Sequence, residues 1–192
     1  AEQQLIQASK MATLGEMATG IAHELNQPLS VIKTASSFLI KKVKKEEKIQ
    51  EVDLAEVARN AIITVQPYAI QMDVNISLDV HGESKLMADP EDMEIIFNNL
   101  VSNAVKYNKF GGRAEIIIDS TDTEMLLVFS DTGIGISEAD RENLFREFMR
   151  VKNERTKNIS GSGLGLSIVR KVIELYHGTI KVDSTPEMGS IF

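Results

Sequence analysis

Four polar side chains recur at close intervals in the segment 90–108 and could hold a charged ligand. They are Asn99, Asn103, Lys106 and Tyr107. Steps of four, three and one residues place them on one strip of a helix. An amide oxygen is a hard ligand that suits Mg²⁺, and a lysine can meet a phosphate. The strip therefore suits a nucleotide with its Mg²⁺, although an ordinary amphipathic helix with a wet face has the same pattern.

The sequence DTGIGI at 131–136 could bring the backbone close to a ligand. Asp131 can accept a hydrogen bond from an exocyclic amine, while Gly133 and Gly135 permit close approach of the backbone. The motif is not a dinucleotide-binding fingerprint, because it lacks a third glycine at the required step and opens no βαβ unit. A turn that simply joins two elements is an equal interpretation of this motif alone.

The sequence GSGLGL at 161–166 runs into a helix that we predict over 164–176. Backbone N–H groups at the N-terminus of a helix bind phosphate well. The preceding segment, 146–158, has little apolar content and carries the basic residues Arg146, Arg150, Lys152, Arg155 and Lys157. This composition fits a mobile basic lid over phosphates, and it equally fits a disordered loop.

His23 lies within the segment 1–45, which has apolar residues at helical spacing and no turn signal. His23 lies two residues after Ile21 and two residues before Leu25, and both of these belong to the row of apolar residues along one face of the predicted helix. At about 100° per residue, His23 is turned roughly 200° from that apolar face, so we predict that it faces solvent. Pro28 predicts a kink one turn later. A lone histidine on a helix is most often an ordinary surface residue.

The elements that must position these residues are predicted to be both helices and strands. In chain order they are helices at 1–45 and 53–66, a strand at 74–80, a helix at 90–108, strands at 114–119 and 124–130, a short helix from Ser137, a helix at 164–176, and strands at 179–183 and 189–192. This mixed order predicts an α+β fold. A long N-terminal helix would precede an α/β sandwich with a mixed, mostly antiparallel sheet.

The composition limits the environment and the partners of the chain. No run approaches the ~18 uninterrupted apolar residues of a membrane span, and the N-terminus does not resemble a signal peptide. The absence of cysteine fits a reducing compartment. The net charge of −7 argues against nucleic acid as a partner. We therefore expect this portion to be cytoplasmic, with membrane contact only through segments absent from the chain.

The order and spacing of the motifs resemble those of a known family. The motifs are Asn99-Leu-x-x-Asn103-Ala-x-Lys-Tyr107, Asp131-x-Gly-x-Gly135, Leu144-Phe145 with Phe148, and Gly161-x-Gly-x-Gly165. They resemble the N, G1, F and G2 boxes of the histidine-kinase ATP-binding domain, whose superfamily includes gyrase, Hsp90 and MutL. The sequence His23-Glu-Leu-Asn-Gln-Pro28 looks like the H box of the dimerisation and phosphotransfer domain of the same kinases. The resemblance covers nearly the whole chain.

The resemblance implies that the bound groups are ATP and Mg²⁺. Asn103 would be the metal ligand, Asp131 would read the adenine amino group, and Arg150 would stabilise charge on the γ-phosphate. The remaining nucleotide-binding residues implied by the resemblance are Asn99, Lys106, Tyr107, Gly133, Gly135, Gly161, Gly163, Leu164, Gly165 and Leu166. Of these, Gly161, Gly163 and Gly165 would form a loop beside the phosphates.

The resemblance also implies a phosphotransfer reaction. A neutral ring nitrogen of His23 would attack the γ-phosphorus, and Glu24 would hold the other ring nitrogen and act as general base. The phosphoryl group would then pass to an aspartate on a response-regulator receiver domain. Gln27 stands where the family often has Thr or Asn, which help water to dephosphorylate the regulator. A carboxamide can also orient water, so Gln27 is compatible with phosphatase activity toward the regulator.

The resemblance divides the chain into a dimerisation and phosphotransfer region at 1–50 and an ATP-binding domain at 51–192. The family forms its homodimer from a helical hairpin, two of which make a four-helix bundle. Only about ten residues separate Lys41 from Val52, which is enough for ~15 Å of helix. We therefore expect the second helix of the hairpin to be missing from the sequence, and the last strand to be cut short at Phe192.

Two other functions are compatible with the motifs. The first is a hydrolytic ATPase of the gyrase or Hsp90 kind, which has a water-activating glutamate four residues before the metal-binding asparagine. That position is Asn99 here, and an amide cannot act as a base. The second is a catalytically inactive module that binds nucleotide or only dimerises. Intact motifs argue against this second alternative.

Overall fold

The computed structural model describes residues 48–121, 123–151, 156–157, 159 and 161–192. The predicted N-terminal helix, with His23, Glu24 and Gln27, lies outside the described residues. The helices and strands of the described part are β1 (Gln50–Asp53), α1 (Leu54–Gln71), β2 (Asn75–His81), β3 (Lys85–Ala88), α2 (Pro90–Lys106), β4 (Arg113–Ser120), β5 (Met125–Asp131), α3 (Glu138–Arg141), α4 (Gly165–Leu175), β6 (Asp183–Thr185) and β7 (Gly189–Ile191).

Five strands form one mixed sheet in the order β2-β4-β5-β7-β6. Strands β2 and β4 are parallel, whereas the other three neighbouring pairs are antiparallel. Parallel neighbours need a long crossover connection, and here the crossover contains β3 and α2. A separate antiparallel ladder joins β1 to β3. The prediction of an α+β fold with a mixed, mostly antiparallel sheet is confirmed.

Helix α2 begins and ends where the sequence predicts within two residues. The Asp89 carboxylate accepts a hydrogen bond from the backbone N–H of Glu91 at 3.0 Å, and Pro90 occupies the first turn, where its missing N–H costs nothing. Its apolar side is buried and includes Met93, Ile96, Phe97, Leu100 and Ala104. The opposite strip of the helix is thus left for the polar side chains.

Helix α1 extends further than the predicted 53–66. Asp53 caps its N-terminus, since the Asp53 carboxylate accepts from the N–H of Ala55 at 2.9 Å. The helix then continues past Pro67 to Gln71. Pro67 is exposed, while Val65 and Ala69 on either side are buried. Burial of this apolar face offsets the backbone hydrogen bond that the proline cannot make.

The helices form a layer on the sheet. Helix α1 packs against α2 and β2, and α2 packs against β4, β5 and α4. At the centre of this layer, the rings of Phe97 and Phe129 meet edge to face with centroids 5.2 Å apart. Helix α2 therefore runs through the core and presents its polar strip outward.

Among the described residues, no helix is both long and apolar enough to cross a bilayer.

Three strand predictions need correction. The short strands β1 and β3 were not predicted, because each has only four residues and is held by the other. The predicted strand at 179–183 is wrong, since the strand there is Asp183–Thr185. Its length is limited by its partner, because β6 pairs only with the three residues of β7. The His177-Gly178 turn does connect helix and strand, and His177 adopts a φ of +58° there.

Candidate functional site

One cavity of about 240 Å³ collects residues from all the downstream motifs. It lies beside the C-terminal half of α2. The predicted site residues that line it are Asn99, Asn103, Lys106, Tyr107, Asp131, Gly135, Arg150, Gly161, Gly163, Gly165 and Leu166. Gly133 and Leu164 are not part of its wall, although each supports a neighbouring wall residue. His23, Glu24 and Gln27 are outside the described residues.

The polar strip of α2 has donors and acceptors to offer a ligand. The Asn99 side chain donates from Nδ2 to the carbonyl oxygen of Ile95 at 2.7 Å, so its Oδ1 faces away from its own helix turn. Within the described part of the chain, the side chains of Asn103 and Lys106 make no hydrogen bond or ion pair. One ammonium and two amide oxygens therefore border the cavity.

Asp131 stands at the end of β5 on another wall of the cavity. Its Oδ1 accepts from the N–H of Gly133 at 2.8 Å, and the N–H of Ser190 also donates to the carboxylate. Burial nevertheless raises the pKa of Asp131 to about 6 from 3.8, because loss of water penalises the charged form more than these bonds favour it. The carboxylate is thus a half-buried acceptor that also lines the cavity.

The glycines beside Asp131 are required by close backbone contacts. A β-carbon at Gly133 would lie 2.2 Å from the carbonyl oxygen of Tyr107, and one at Gly135 would lie 2.0 Å from that of Thr185. Gly135 also has a φ of +65°, which disfavours side chains. The N–H of Ile134 donates to the Tyr107 carbonyl at 3.0 Å and holds this loop against the end of α2.

The second glycine loop approaches α2 equally closely. A β-carbon at Gly165 would lie 2.3 Å from Oδ1 of Asn99. At Gly163, where φ is +73°, it would lie 2.8 Å from the backbone of Phe148, whereas at Gly161 it would meet nothing within 4 Å. Leu164 is buried and precedes α4, and no side chain caps the helix there. The first N–H groups of α4 are therefore available to a ligand.

Arg150 reaches the cavity from the basic segment 146–158. Its guanidinium donates to the carbonyl oxygen of Ile159, just after this segment. Met149 and Thr156 from the segment, and Leu144 before it, also line the cavity. Among the described residues of the wall, Lys106 and Arg150 are the cations, and Asp131 is the only carboxylate. The cavity therefore offers two cations to an anionic group of a ligand and one carboxylate to a hydrogen-bond donor.

Some wall residues were not predicted from the sequence. They include Ser102, Ile134, Ile136, Met149, Val151, Ser162, Ser190 and Phe192. Ser102 precedes Asn103 on the same helix, so helical spacing could have indicated it. Ser190 reaches the cavity only because β7 pairs with β5 and sets it opposite Asp131. No local pattern in the sequence signals that pairing.

Comparison with known proteins gives this cavity a family context. The model of the family described as histidine kinase-, DNA gyrase B-, and HSP90-like ATPase matches residues 88–192. Sensor histidine kinase RppB of Synechocystis sp. is 32% identical over 125 residues, which cover 65% of this chain and 28% of that protein. Adaptive-response sensory kinase SasA of Synechococcus sp. is 33% identical over 145 residues, which cover 74% of this chain and 38% of that protein.

Solved structures show the same fold. The catalytic domain of histidine kinase ThkA superposes with a TM-score of 0.65 at 26% identity, covering 76% of this chain and 92% of that domain. The mycobacterial sensor histidine kinase MprB gives a TM-score of 0.64 at 26% identity, covering 74% of this chain and 93% of that structure.

The match has definite limits along the sequence. The chain spans only 20 to 38% of the length of RppB, SasA and the circadian kinase CikA of Synechococcus elongatus. The family model begins just before α2 and includes every described wall residue of the cavity. By this match and by its fold, the chain belongs to the family of histidine kinase-, DNA gyrase B- and HSP90-like ATPases.

Proposed function

We propose that the chain is the catalytic core of a sensor histidine kinase in a two-component system. It binds Mg-ATP in the cavity beside α2 and transfers the γ-phosphoryl group to His23. The observation that carries this proposal is the convergence of four separate sequence motifs on one cavity. The names of the curated relatives support it, since RppB, CikA and SasA are all called kinases.

The chemistry of the walls suggests how ATP lies in the cavity. The adenine amino group is expected to donate to Asp131, since that carboxylate is the only one on the described walls. The phosphates are expected near Lys106, Arg150 and the uncapped start of α4, because cations and free N–H groups favour negative charge. Gly133 and Gly135 keep the base end open, and Leu166 supplies apolar contact.

The residues on α2 also fit a Mg²⁺ ion bound together with the phosphates. Asn103 would hold the ion through its amide oxygen, and Asn99 and Tyr107 lie on the same strip. Few protein ligands are needed, because Mg²⁺ keeps several waters and takes substrate oxygens. When bound, the ion neutralises charge on the phosphates. The side chain of Asn103 makes no hydrogen bond within the described residues, so its oxygen is available.

The proposed transfer joins a ring nitrogen of His23 to the γ-phosphorus while the bond from that phosphorus to the bridging oxygen of ADP breaks. Glu24 orients the imidazole and accepts the proton from its other nitrogen. Arg150 stabilises negative charge on the transferred group. These roles of His23 and Glu24 come from the sequence motif, because both residues lie outside the described part of the chain.

We propose an aspartate of a response-regulator receiver domain as the next acceptor. Histidine kinase ThkA has been solved in complex with response regulator protein TrrA, and at 21% identity that kinase shares the fold of this chain. Gln27 would orient water for regulator dephosphorylation. The N-terminal region would form a homodimer, and this portion of the protein would be cytoplasmic.

Hydrolysis of ATP is the competing reaction within this family. Asn99 is an amide with its nitrogen engaged by Ile95, so it cannot activate water as a carboxylate would. Asp131, the carboxylate on the described walls, lies at the proposed base end of the nucleotide. A catalytically inactive nucleotide-binding module would preserve binding and lose transfer.

Two labels of ATP separate these functions. The chain is incubated with Mg-ATP labelled either in the γ-phosphate or in the α-phosphate, and the protein is then isolated under denaturing conditions. A histidine kinase retains γ-label and no α-label. Release of labelled phosphate without labelled protein would favour the hydrolase, and saturable binding without either product would favour the inactive module.

A further inference from the structure

The hydroxyl of Tyr176 joins the end of α4 to the beginning of α2. It donates to Oδ2 of Asp92 at 3.0 Å and accepts from the backbone N–H of Asp89 at 3.0 Å. Both aspartates are buried, with 9 and 8% exposure. Burial raises the pKa of Tyr176 to about 12, so the hydroxyl keeps its proton at neutral pH. It therefore serves as donor and acceptor at once.

The other end of α4 meets α2 at the cavity. Gly165, the first residue of α4, faces Oδ1 of Asn99. Because Asp92 precedes Asn99 along α2 while Tyr176 follows Gly165, the two helices run in opposite directions between these contacts. The eleven residue-to-residue steps from Gly165 to Tyr176 correspond to about 16 Å of helix. Tyr176 thus acts at the far end of the helix whose start borders the cavity.

Helix α4 forms an exposed ion pair from Lys171 to Glu147, and it is held to the core and to α2 by two further kinds of contact. Val169 and Val172 are fully buried and attach α4 to the core through apolar contacts. Such contacts are non-directional, so they tolerate small sliding movements. The two hydrogen bonds of Tyr176 are directional and are lost when the partners separate. Tyr176 is therefore the contact best able to fix α4 along its own axis.

We propose that Tyr176 is a positioning residue of the nucleotide site, because it sets the distance between the glycine loop at 161–165 and the polar strip of α2. The inference rests on the proposed binding of ATP at that site. A shift of α4 along its axis moves Gly165 relative to Asn99 and Asn103 by the same amount. Loss of the Tyr176 hydroxyl therefore weakens the binding of the nucleotide without removing any group that contacts it.

The test uses the whole chain and measures the affinity for Mg-ATP by titration calorimetry. We expect Tyr176→Phe to weaken binding by about fivefold, the size of a modest coupling between separate positions. Tyr68→Phe is the matched control, because it removes a hydroxyl from an exposed tyrosine on α1. This control is expected to bind as the wild type does.

Variants of Asp92 distinguish positioning from general loss of structure. Asp92→Asn keeps an acceptor for the tyrosine hydroxyl, so we expect nearly wild-type affinity. Asp92→Ala removes the acceptor and is expected to weaken binding as Tyr176→Phe does, with little further loss in the double variant. If Tyr176→Phe does not fold, the difference in affinity between Asp92→Asn and Asp92→Ala still tests whether the Tyr176–Asp92 hydrogen bond positions α4.

The melting temperature of each variant is measured without nucleotide. A lower melting temperature for Tyr176→Phe with unchanged affinity would show a purely structural role and overturn the inference, while ATP binding by the wild type would stand. If the wild type binds no nucleotide, the proposed function fails and this inference fails with it. Weaker binding in Tyr176→Phe and Asp92→Ala, but not in Asp92→Asn, supports the proposal.

Discussion

Oδ1 of Asn99 lies 2.3 Å from the point that a β-carbon at Gly165 would occupy. This contact joins the polar strip of α2 to the start of α4, two features that are 66 residues apart in the sequence. Only a residue without a side chain lets the helices approach so closely at that point. The distance between α2 and the start of α4 therefore depends partly on Gly165, although its φ is not positive.

Substitution of Gly165 tests this contact directly. Gly165→Ala forces its β-carbon against Asn99, so we expect a loss of about 1–3 kcal/mol in the free energy of unfolding and a weaker affinity for Mg-ATP. Gly161→Ala is the matched control for stability, since a β-carbon there meets nothing within 4 Å. Denaturant unfolding of both variants and nucleotide titration of Gly165→Ala against the wild type provide the measurement. Equal stability of the two alanine variants would contradict the importance of the contact.

The carboxylate of Asp131 makes nucleotide binding depend on pH. The charged form is the stronger acceptor for the adenine amine, and protonation places an O–H donor on the carboxyl, so affinity is expected to fall as the pH drops through about 6. In Asp131→Asn, the amide oxygen is needed by Gly133 and the NH₂ group faces the adenine amine. We expect at least about tenfold weaker binding, equivalent to roughly 1.4 kcal/mol, and no such pH dependence.

The carboxyl of Asp131 is expected to make the nucleotide-free protein more stable at low pH, where nucleotide binding is weaker. Its folded-state pKa of about 6 lies above the ordinary 3.8, so the folded state binds the proton more tightly than the unfolded state. The resulting stabilisation is fully present below the ordinary pKa and is lost as pH rises through about 6. Denaturant unfolding of wild type and Asp131→Asn between these values measures it. Parallel pH profiles would contradict this prediction.

Local sequence patterns indicated many of the residues that line the cavity, but they did not give the pairing of the short strands. Asn99, Asn103 and Lys106 follow from helical spacing, and Asp131 with its glycines follows from a short motif after a strand. Ser190 could not be predicted, because its place depends on the pairing of β7 with β5. The strand at 179–183 was wrong for the same reason, since the pairing partner decides which residues of a short segment form the strand.

The amide of Asn103 is expected to determine how much Mg²⁺ raises the affinity of the protein for ATP. Asn103→Ala removes the proposed metal ligand, so the gain in ATP affinity on adding Mg²⁺ should shrink by about tenfold or more. Asn98→Ala is the control, because Asn98 is an exposed asparagine on the same helix and does not line the cavity. Titrations of ATP with Mg²⁺ and with a chelator give the ratio for each variant. An unchanged ratio in Asn103→Ala would exclude Asn103 as a ligand.

The ring of Phe97 is expected to be the most costly single loss in the core that carries the polar strip. It is fully buried and contacts Phe129, so Phe97→Ala should lower the free energy of unfolding by about 3–5 kcal/mol. Phe110 is 74% exposed, and Phe110→Ala should therefore change stability little. Urea unfolding of both variants checks the difference. A small effect at Phe97 would argue against the packing of α2 on β5.

Phosphorylation of His23 is the central claim, and it is the one that depends most on the sequence motif. The direct measurement is incubation of the whole chain and of His23→Ala with γ-labelled Mg-ATP, followed by quantification of label on the denatured protein. The proposed function predicts acid-labile label on the wild type and none on His23→Ala, with equal ATP affinity in the two proteins. Equal labelling of both proteins would contradict the assignment of His23 as the phosphoacceptor.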